Sequence, residues 1–320
     1  MSNPSVLLMH RAPPENAGGP DALEREIRKA LPNIDLQRAA NYEGTLSAIA
    51  NVDIVIEHRM DEDHLEAASE VTWIQSLSSG YDRFDLDRLS ERGITLTTSS
   101  GVHAEPIAQH VLGYILTFER GLLRARRQQK RTEWRRFAPS ELTDKTATIV
   151  GVGEIGSRIV ERLSAFDLQT IGIKRNLDSV TDAVDDVLPP SELHAALGQS
   201  DYVIVACPLT SDTEGMFDEK AFDSMSPEAV LINIARGEVI HQPALIEALQ
   251  TGEIGGAALD VATKEPLPPE SPLWNFDNVL ITPHMAGGSP HYARRCAAIF
   301  SHNYQCYTNG ELDKMKNHVV

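Results

Sequence analysis

A chain of 320 residues exceeds what one ordinary hydrophobic core organises, so two domains are expected. Hydrophobic residues make up 42% and charged residues 23%, a globular balance that excludes a largely disordered protein. A net charge of −17 opposes binding to nucleic-acid phosphates and to anionic membrane surfaces.

The N-terminal stretch, with Pro4 and a short apolar run at residues 6–9, fits neither a signal nor a transit peptide, so a cytoplasmic location is expected. Residues 6–9, 53–57 and 73–76 read as strands, with amphipathic helices at 22–31 and 61–68. That alternation points to a parallel sheet covered on both faces. Residues 105–136 read as one or two long helices, with Pro106 in the first turn and Pro139 as the breaker. A second α/β unit follows, with strands at 146–150, 170–173, 202–206, 230–233, 257–260 and 279–281. Six such strands suffice for a full dinucleotide-binding sheet. Apolar runs such as 229–234 are strand-sized, far short of a membrane span. Residues 290–309 look helical. Cys207, Cys296 and Cys306 have no metal-like or disulfide-like spacing, and no metal is expected.

The most informative segment is Gly151-Val-Gly-Glu-Ile-Gly156, which lies between a strand and a helix. In that setting Gly151 permits a tight turn, Gly153 lets the backbone approach a pyrophosphate, and Gly156 lets helix and strand pack closely. The amides of Glu154 and Ile155 open the helix, where its dipole favours an anion. The next strand ends in Gly172-Ile-Lys-Arg-Asn176. NAD binders usually carry an acid there, whereas Lys174, Arg175 and Asn176 suit a 2′-phosphate. NADP is favoured on that charge argument. Dual use stays open, as does ribose binding by Asp178 with Lys174 and Arg175 as surface cations.

Three strand ends in the second half carry polar groups: Asn233-Ile-Ala-Arg-Gly237, Leu259-Asp-Val-Ala-Thr-Lys-Glu-Pro266 and Ile281-Thr-Pro-His284. Open α/β sheets bind ligands at that edge. With Ser100-Gly-Val-His-Ala-Glu-Pro-Ile-Ala-Gln-His110, Leu142-Thr-Asp-Lys-Thr146 and Ala206-Cys-Pro-Leu-Thr210, these segments resemble the D-isomer-specific 2-hydroxyacid dehydrogenase family over nearly the whole chain.

The resemblance implies two doubly wound parallel-sheet domains: a Rossmann dinucleotide-binding domain at 105–289, and a flavodoxin-like substrate domain at 1–104 plus 290–320. It implies hydride transfer between NAD(P)H and C2 of a small 2-oxo acid. His284 would exchange the proton, Glu265 would hydrogen-bond it and favour imidazolium, and Arg236 would bind the carboxylate and polarise the carbonyl. Asp260 resembles the residue that contacts the nicotinamide carboxamide, while Ile234, Ala235, Cys207, Pro208 and Thr213 fall among the cofactor contacts. Leu77-Ser-Ser-Gly-Tyr-Asp82 resembles the loop whose amides, here those of Ser79 and Gly80, hold the substrate carboxylate. Arg59 is either a pocket residue or a surface one. Departures are the missing cofactor acid, Gln109 for a frequent Glu, and Met285 after the histidine.

Residues 120–136 carry eight basic side chains interleaved with Trp134. A nucleic-acid patch and the dimer arm of the family are the two readings, and the acidic remainder favours a homodimer. The family also contains dinucleotide-sensing corepressors, and among its enzymes glyoxylate, hydroxypyruvate and phosphoglycerate remain candidate substrates. Formate enzymes generally lack a counterpart of Glu265. Eight Lys against 21 Arg, on an acidic chain, fits a halophilic protein in dense salt, or more plainly a GC-rich genome.

Overall fold

The computed structural model describes residues 3–10, 12–13, 19–81, 83–177 and 183–320. Two compact units divide the chain: residues 1–103 with 288–320, and residues 104–287. Unit 1 begins β1 (Ser5–Leu8), α1 (Gly19–Ala30), β2 (Asp35–Arg38), α2 (Tyr42–Ile49) and β3 (Ile54–Glu57). It continues α3 (Glu62–Ala67), β4 (Trp73–Ser76), α4 (Leu86–Glu91) and β5 (Thr95–Thr97). Its five strands run parallel in the order β2-β1-β3-β4-β5, the flavodoxin-like winding.

Unit 2 opens with α5 (Ala104–Glu119) and α6 (Leu122–Lys130). Then come β6 (Thr146–Val150), α7 (Glu154–Leu163), β7 (Gln169–Ile173), β8 (Asp186–Leu188), α8 (Leu193–Leu197) and β9 (Tyr202–Val205). It closes with α9 (Glu219–Asp223), β10 (Val230–Asn233), α10 (Gln242–Thr251), β11 (Gly256–Leu259) and β12 (Val279–Ile281). Its seven strands are all parallel, in the order β12-β11-β10-β9-β6-β7-β8. This is the Rossmann order with one strand added beyond the six expected. The addition, β8, is a three-residue edge strand with no fully buried side chain, so it has no apolar signature.

The α11 helix (Tyr292–Thr308) returns to unit 1 and packs on α1. Successive residues of the unit 2 strands enter different cores. Val203 and Val205 join one face with Leu231 and Leu259, while Tyr202 and Ile204 join the other with Ile149 and Ile232. That is the period-two geometry of strands buried on both sides. Glycine marks two boundaries. Gly121 (φ 63°) separates α5 from α6, and Gly252 (φ 78°) closes α10. Helix ends at Lys130, not at Pro139, and Thr132 then takes φ 56°. The expected helix therefore overran by six residues, because Arg, Gln and Lys are good helix formers without an apolar face to anchor them. Among the described residues no helix is long and apolar enough to cross a membrane.

In unit 1, Trp73 stacks on Phe300 (5.3 Å between centroids) and on Tyr307 (5.4 Å), and its Nε1 donates to Thr97. This stack ties α11 to β4 of the sheet. Phe300→Ala is expected to lower the unfolding free energy by about 3–5 kcal/mol, read from urea melts by tryptophan fluorescence. A change below about 1 kcal/mol would mean that the site collapses around the gap and the stack is dispensable.

Candidate active site

The polar groups of unit 2 gather where its strands end. After β10, the buried Asn233 side chain shapes the turn. Its Oδ1 accepts from the Ala235 amide (3.0 Å) and its Nδ2 donates to the Arg236 carbonyl (2.9 Å). Gly237 follows because nothing larger fits: a Cβ there would lie 2.0 Å from the Ala262 carbonyl carbon and 2.2 Å from the Thr263 amide. That approach brings the segment carrying Arg236 against the loop carrying Glu265. The Arg236 guanidinium donates to the Ala235 carbonyl (2.7 Å).

Glu265 Oε1 accepts from the Ala262 amide (3.2 Å), and Oε2 lies 2.7 Å from His284 Nδ1. This pair is open to solvent, with side-chain exposures of 39% and 56%. His284 Nε2 has no hydrogen bond among the described residues. Glu265 and His284 also line a largely apolar cavity of about 550 Å³, together with Leu245, Leu259 and Trp274. The three residues expected to be catalytic are therefore one contacting pair plus Arg236 on the adjoining turn. Asp260, buried at the end of β11, is committed to the chain. Its carboxylate accepts from Thr282 and from the amides of Met285 and Ala286 (both 2.9 Å). Three of its roughly four acceptor sites are thus filled, which leaves room for a single further donor.

The glycine turn is built by close contact on one side and open space on the other. At Gly151 (φ 103°) a Cβ would lie 2.6 Å from the Cys207 nitrogen, and at Gly156 one would lie 2.2 Å from the Gly151 oxygen. Gly153, the N-cap of α7, has no atom within 4 Å of that position. The first amides of α7, those of Glu154 and Ile155, lack acceptors within the helix by geometry. The space, the unpaired donors and the helix dipole together fit a pyrophosphate.

Arg175, at the end of β7, lies 3.7 Å from Asp212 with both side chains largely exposed, so its fork is available to an anion. Lys174 and Asn176 adjoin it, while Asp178 lies outside the described residues. Ile234, Ala235, Cys207 and Pro208 leave neighbouring strands β10 and β9, so all four sit at one stretch of edge. Burial pushes the Cys207 thiol up to about 11, making it a neutral wall rather than a nucleophile. The Thr213 hydroxyl donates to the Pro208 carbonyl (2.7 Å) and accepts from the Thr210 amide (2.8 Å). It therefore shapes its own loop. Among the described residues no three metal-ligating side chains cluster.

In unit 1 the loop after β4 is pinned from several sides. The Leu77 amide donates to the Glu57 carbonyl, the Tyr292 hydroxyl to the Leu77 carbonyl, and the Ser99 amide to the Ser78 carbonyl. The Ser79 and Gly80 amides have no acceptor among the described residues, and Asp82 of the same loop lies outside them. Arg59 is 81% exposed and 3.5 Å from Asp61, an ordinary surface pair.

A model of the D-isomer specific 2-hydroxyacid dehydrogenase NAD-binding domain matches residues 112–286. The chain belongs to the D-isomer-specific 2-hydroxyacid dehydrogenase family. A glyoxylate reductase of Pyrococcus furiosus is 32% identical across 97% of this chain and 94% of its own length. A family member from Aeromonas salmonicida subsp. salmonicida A449 aligns in structure with a TM-score of 0.85 at 30% identity, covering 100% of this chain and 99% of that one. An NADPH-dependent glyoxylate/hydroxypyruvate reductase from Sinorhizobium meliloti, solved with NADP and sulfate, has a TM-score of 0.82 at 26% identity over 98% of both chains. The protein is accordingly an NAD(P)-dependent oxidoreductase acting on the CH–OH group of 2-hydroxy acids.

One feature of this dehydrogenase escapes sequence reasoning. Glu57, fully buried, is met by Arg83 (2.8 and 3.1 Å), which also donates to Ser76 (3.0 Å). Burial pushes the Glu57 carboxyl up, and the guanidinium opposes it. The signal was there, since a carboxylate ending the apolar run Ile54-Val-Ile-Glu57 needs a partner. Gln109, a departure from the family pattern, donates to Glu105 (2.6 Å), itself paired with Arg162 of α7 (2.6 Å). The glutamine thus supports the packing of α5 on α7.

Proposed function

We propose that the protein reduces a small 2-oxo acid to its D-2-hydroxy acid, with His284 as proton donor, Glu265 orienting it and Arg236 binding the carboxylate and polarising the carbonyl. The observation that carries this reading is the 2.7 Å contact between His284 Nδ1 and Glu265 at the carboxyl edge of a dinucleotide sheet. With Nδ1 held, Nε2 is the nitrogen that exchanges a proton with the substrate oxygen. Arg236 keeps its charge at any working pH and stabilises the oxygen as negative charge develops. The bound nicotinamide supplies the hydride to C2. The amides of Ser79 and Gly80 take the substrate carboxylate in this scheme, with Arg59 as the weakest member of the set. Unit 1 is read as the substrate domain and unit 2 as the dinucleotide domain. The names of the relatives favour glyoxylate or hydroxypyruvate as substrate.

NADP(H) is the preferred cofactor on this reading, supported by Lys174 and Arg175 and by the NADP held in the Sinorhizobium meliloti neighbour. The remaining assignments are Gly151, Gly153, Glu154, Ile155 and Gly156 to the pyrophosphate, and Asn176 to the ribose phosphate. Ile234, Ala235, Cys207, Pro208, Thr213 and Asp260 surround the nicotinamide half. The working form is a cytoplasmic homodimer. In support, α6 buries none of its residues, Trp134 is 97% exposed, and this basic stretch belongs to a chain of net charge −17. A second acidic copy offers the complementary charge. The acidic, Lys-poor surface fits a halophilic setting.

His284→Ala is expected to lower kcat by about 10²–10⁴-fold while NADPH titration by fluorescence still gives a normal Kd. Undiminished turnover with every 2-oxo acid tried would remove the proton-donor role. Arg175→Asp should move the NADPH-to-NADH ratio of kcat/KM by about tenfold or more towards NADH, since it exchanges a charge-assisted hydrogen bond for repulsion. An unchanged ratio would refute the phosphate assignment. Sedimentation velocity at low and high salt should give a dimer, and thermal melts a melting temperature that rises with salt; a monomer throughout would refute the assembly.

A further inference from the structure

His284 has a left-handed backbone, with φ 49°. A residue with a branched ring occupies that region at a cost of order 1 kcal/mol, and stays there when its surroundings over-determine it. Those surroundings are specific. The His284 amide donates to the carbonyls of Asp260 (2.8 Å) and Thr282 (3.0 Å). The next two amides, of Met285 and Ala286, donate to the two Asp260 carboxylate oxygens. The Thr282 hydroxyl, two residues before the histidine, gives its single proton to Asp260 Oδ1.

A threonine hydroxyl that has donated its proton keeps two lone pairs. Both are met from α5, by the Tyr114 hydroxyl and by His110 Nε2 at 3.2 Å. Burial pushes the Tyr114 phenol up and so keeps it protonated; burial also lowers His110, leaving a neutral ring with one N–H to give. The hydrogen bonds therefore have one sense. They run from Tyr114 and His110 to Thr282, from Thr282 to Asp260, and from the loop amides to the same carboxylate. A valine at position 282 would fill the same volume, leave the Tyr114 hydroxyl and His110 Nε2 without their acceptor, and remove one of three donors from Asp260.

We propose that Tyr114 and His110, acting through Thr282 and Asp260, are positioning residues that hold the left-handed turn at His284 and so aim its imidazole. The inference rests on the reading of His284 as the proton donor. It assigns to α5 a part in the chemistry without contact with substrate, by fixing the backbone from which the imidazole projects.

The test compares Thr282→Val, Thr282→Ser and Tyr114→Phe with the parent and with His284→Ala. It reads kcat, KM, NADPH Kd and melting temperature for each full-length protein. Thr282→Val is expected to lower kcat on the order of tenfold to a hundredfold, the effect of a catalytic group displaced by a fraction of an ångström, with NADPH Kd within about twofold of the parent. Thr282→Ser keeps the hydroxyl and should restore most of that loss, while Tyr114→Phe should lower kcat by a smaller factor. A Thr282→Val kcat within about twofold of the parent, or a loss that serine does not rescue, overturns the proposal. Should Thr282→Val fail to fold, Tyr114→Phe decides, and an unchanged kcat overturns it. A fully active His284→Ala sinks the proton-donor reading itself, whereas an inactive His284→Ala beside an unaffected Thr282→Val sinks only the positioning relay.

Discussion

Every strand of unit 2 runs in the same direction, and the catalytic edge follows from that constraint. A parallel sheet covered on both faces leaves its strands almost wholly apolar, so polar chemistry is displaced to the loops beyond their carboxyl ends. Asn233, Asp260 and Thr282 mark those transitions on three adjacent strands. Each is a short polar residue whose side chain bonds to backbone or to its neighbour instead of reaching solvent. Arg236, Glu265 and His284 follow these anchors, two to five residues further along. The edge thus has two tiers. Buried and half-buried polar groups shape the loops, and exposed ones project beyond them.

Legibility in the sequence follows the same division. The glycine turn was readable because its function is local. Gly156 answers to contacts within one strand–helix junction, Gly153 borders open space, and Gly151 meets the end of β9 only through backbone. The central strands were readable because burial on both faces demands uninterrupted runs such as Tyr202-Val-Ile-Val205. The edge strands β2 and β8 were not. Asp35–Arg38 buries only Leu36, and Asp186–Leu188 buries nothing fully, so neither carries an apolar pattern. The anchors were also hidden, since Asp260 meets Thr282 and Met285 across 22 and 25 residues, and Glu57 meets Arg83 across 26. Sequence indicates that a buried carboxylate needs partners, but only the fold selects them.

Charge imposes its own demand on the cofactor side. A chain of net charge −17 repels a nucleotide phosphate at long range, so attraction must be concentrated at short range. On the proposed cofactor reading, the amides opening α7 and the exposed fork of Arg175 provide it within one βαβ unit. Salt screens the long-range part of that repulsion beyond about 8 Å at physiological ionic strength.

The pair formed by Glu265 and His284 raises a similar question of scale. Both side chains are substantially exposed, and exposed ion pairs contribute about 0–1 kcal/mol. Such a contact cannot by itself hold an imidazole to the sub-ångström tolerance that proton transfer requires. The geometry must be set before the side chain begins, in the backbone. Three donors on one buried carboxylate, with the paired carbonyl bonds to the His284 amide, supply that constraint where water does not compete. The exposed carboxylate of Glu265 then has only to select which ring nitrogen faces outward. A weak bond is enough for that choice because the stronger ones have already fixed the frame.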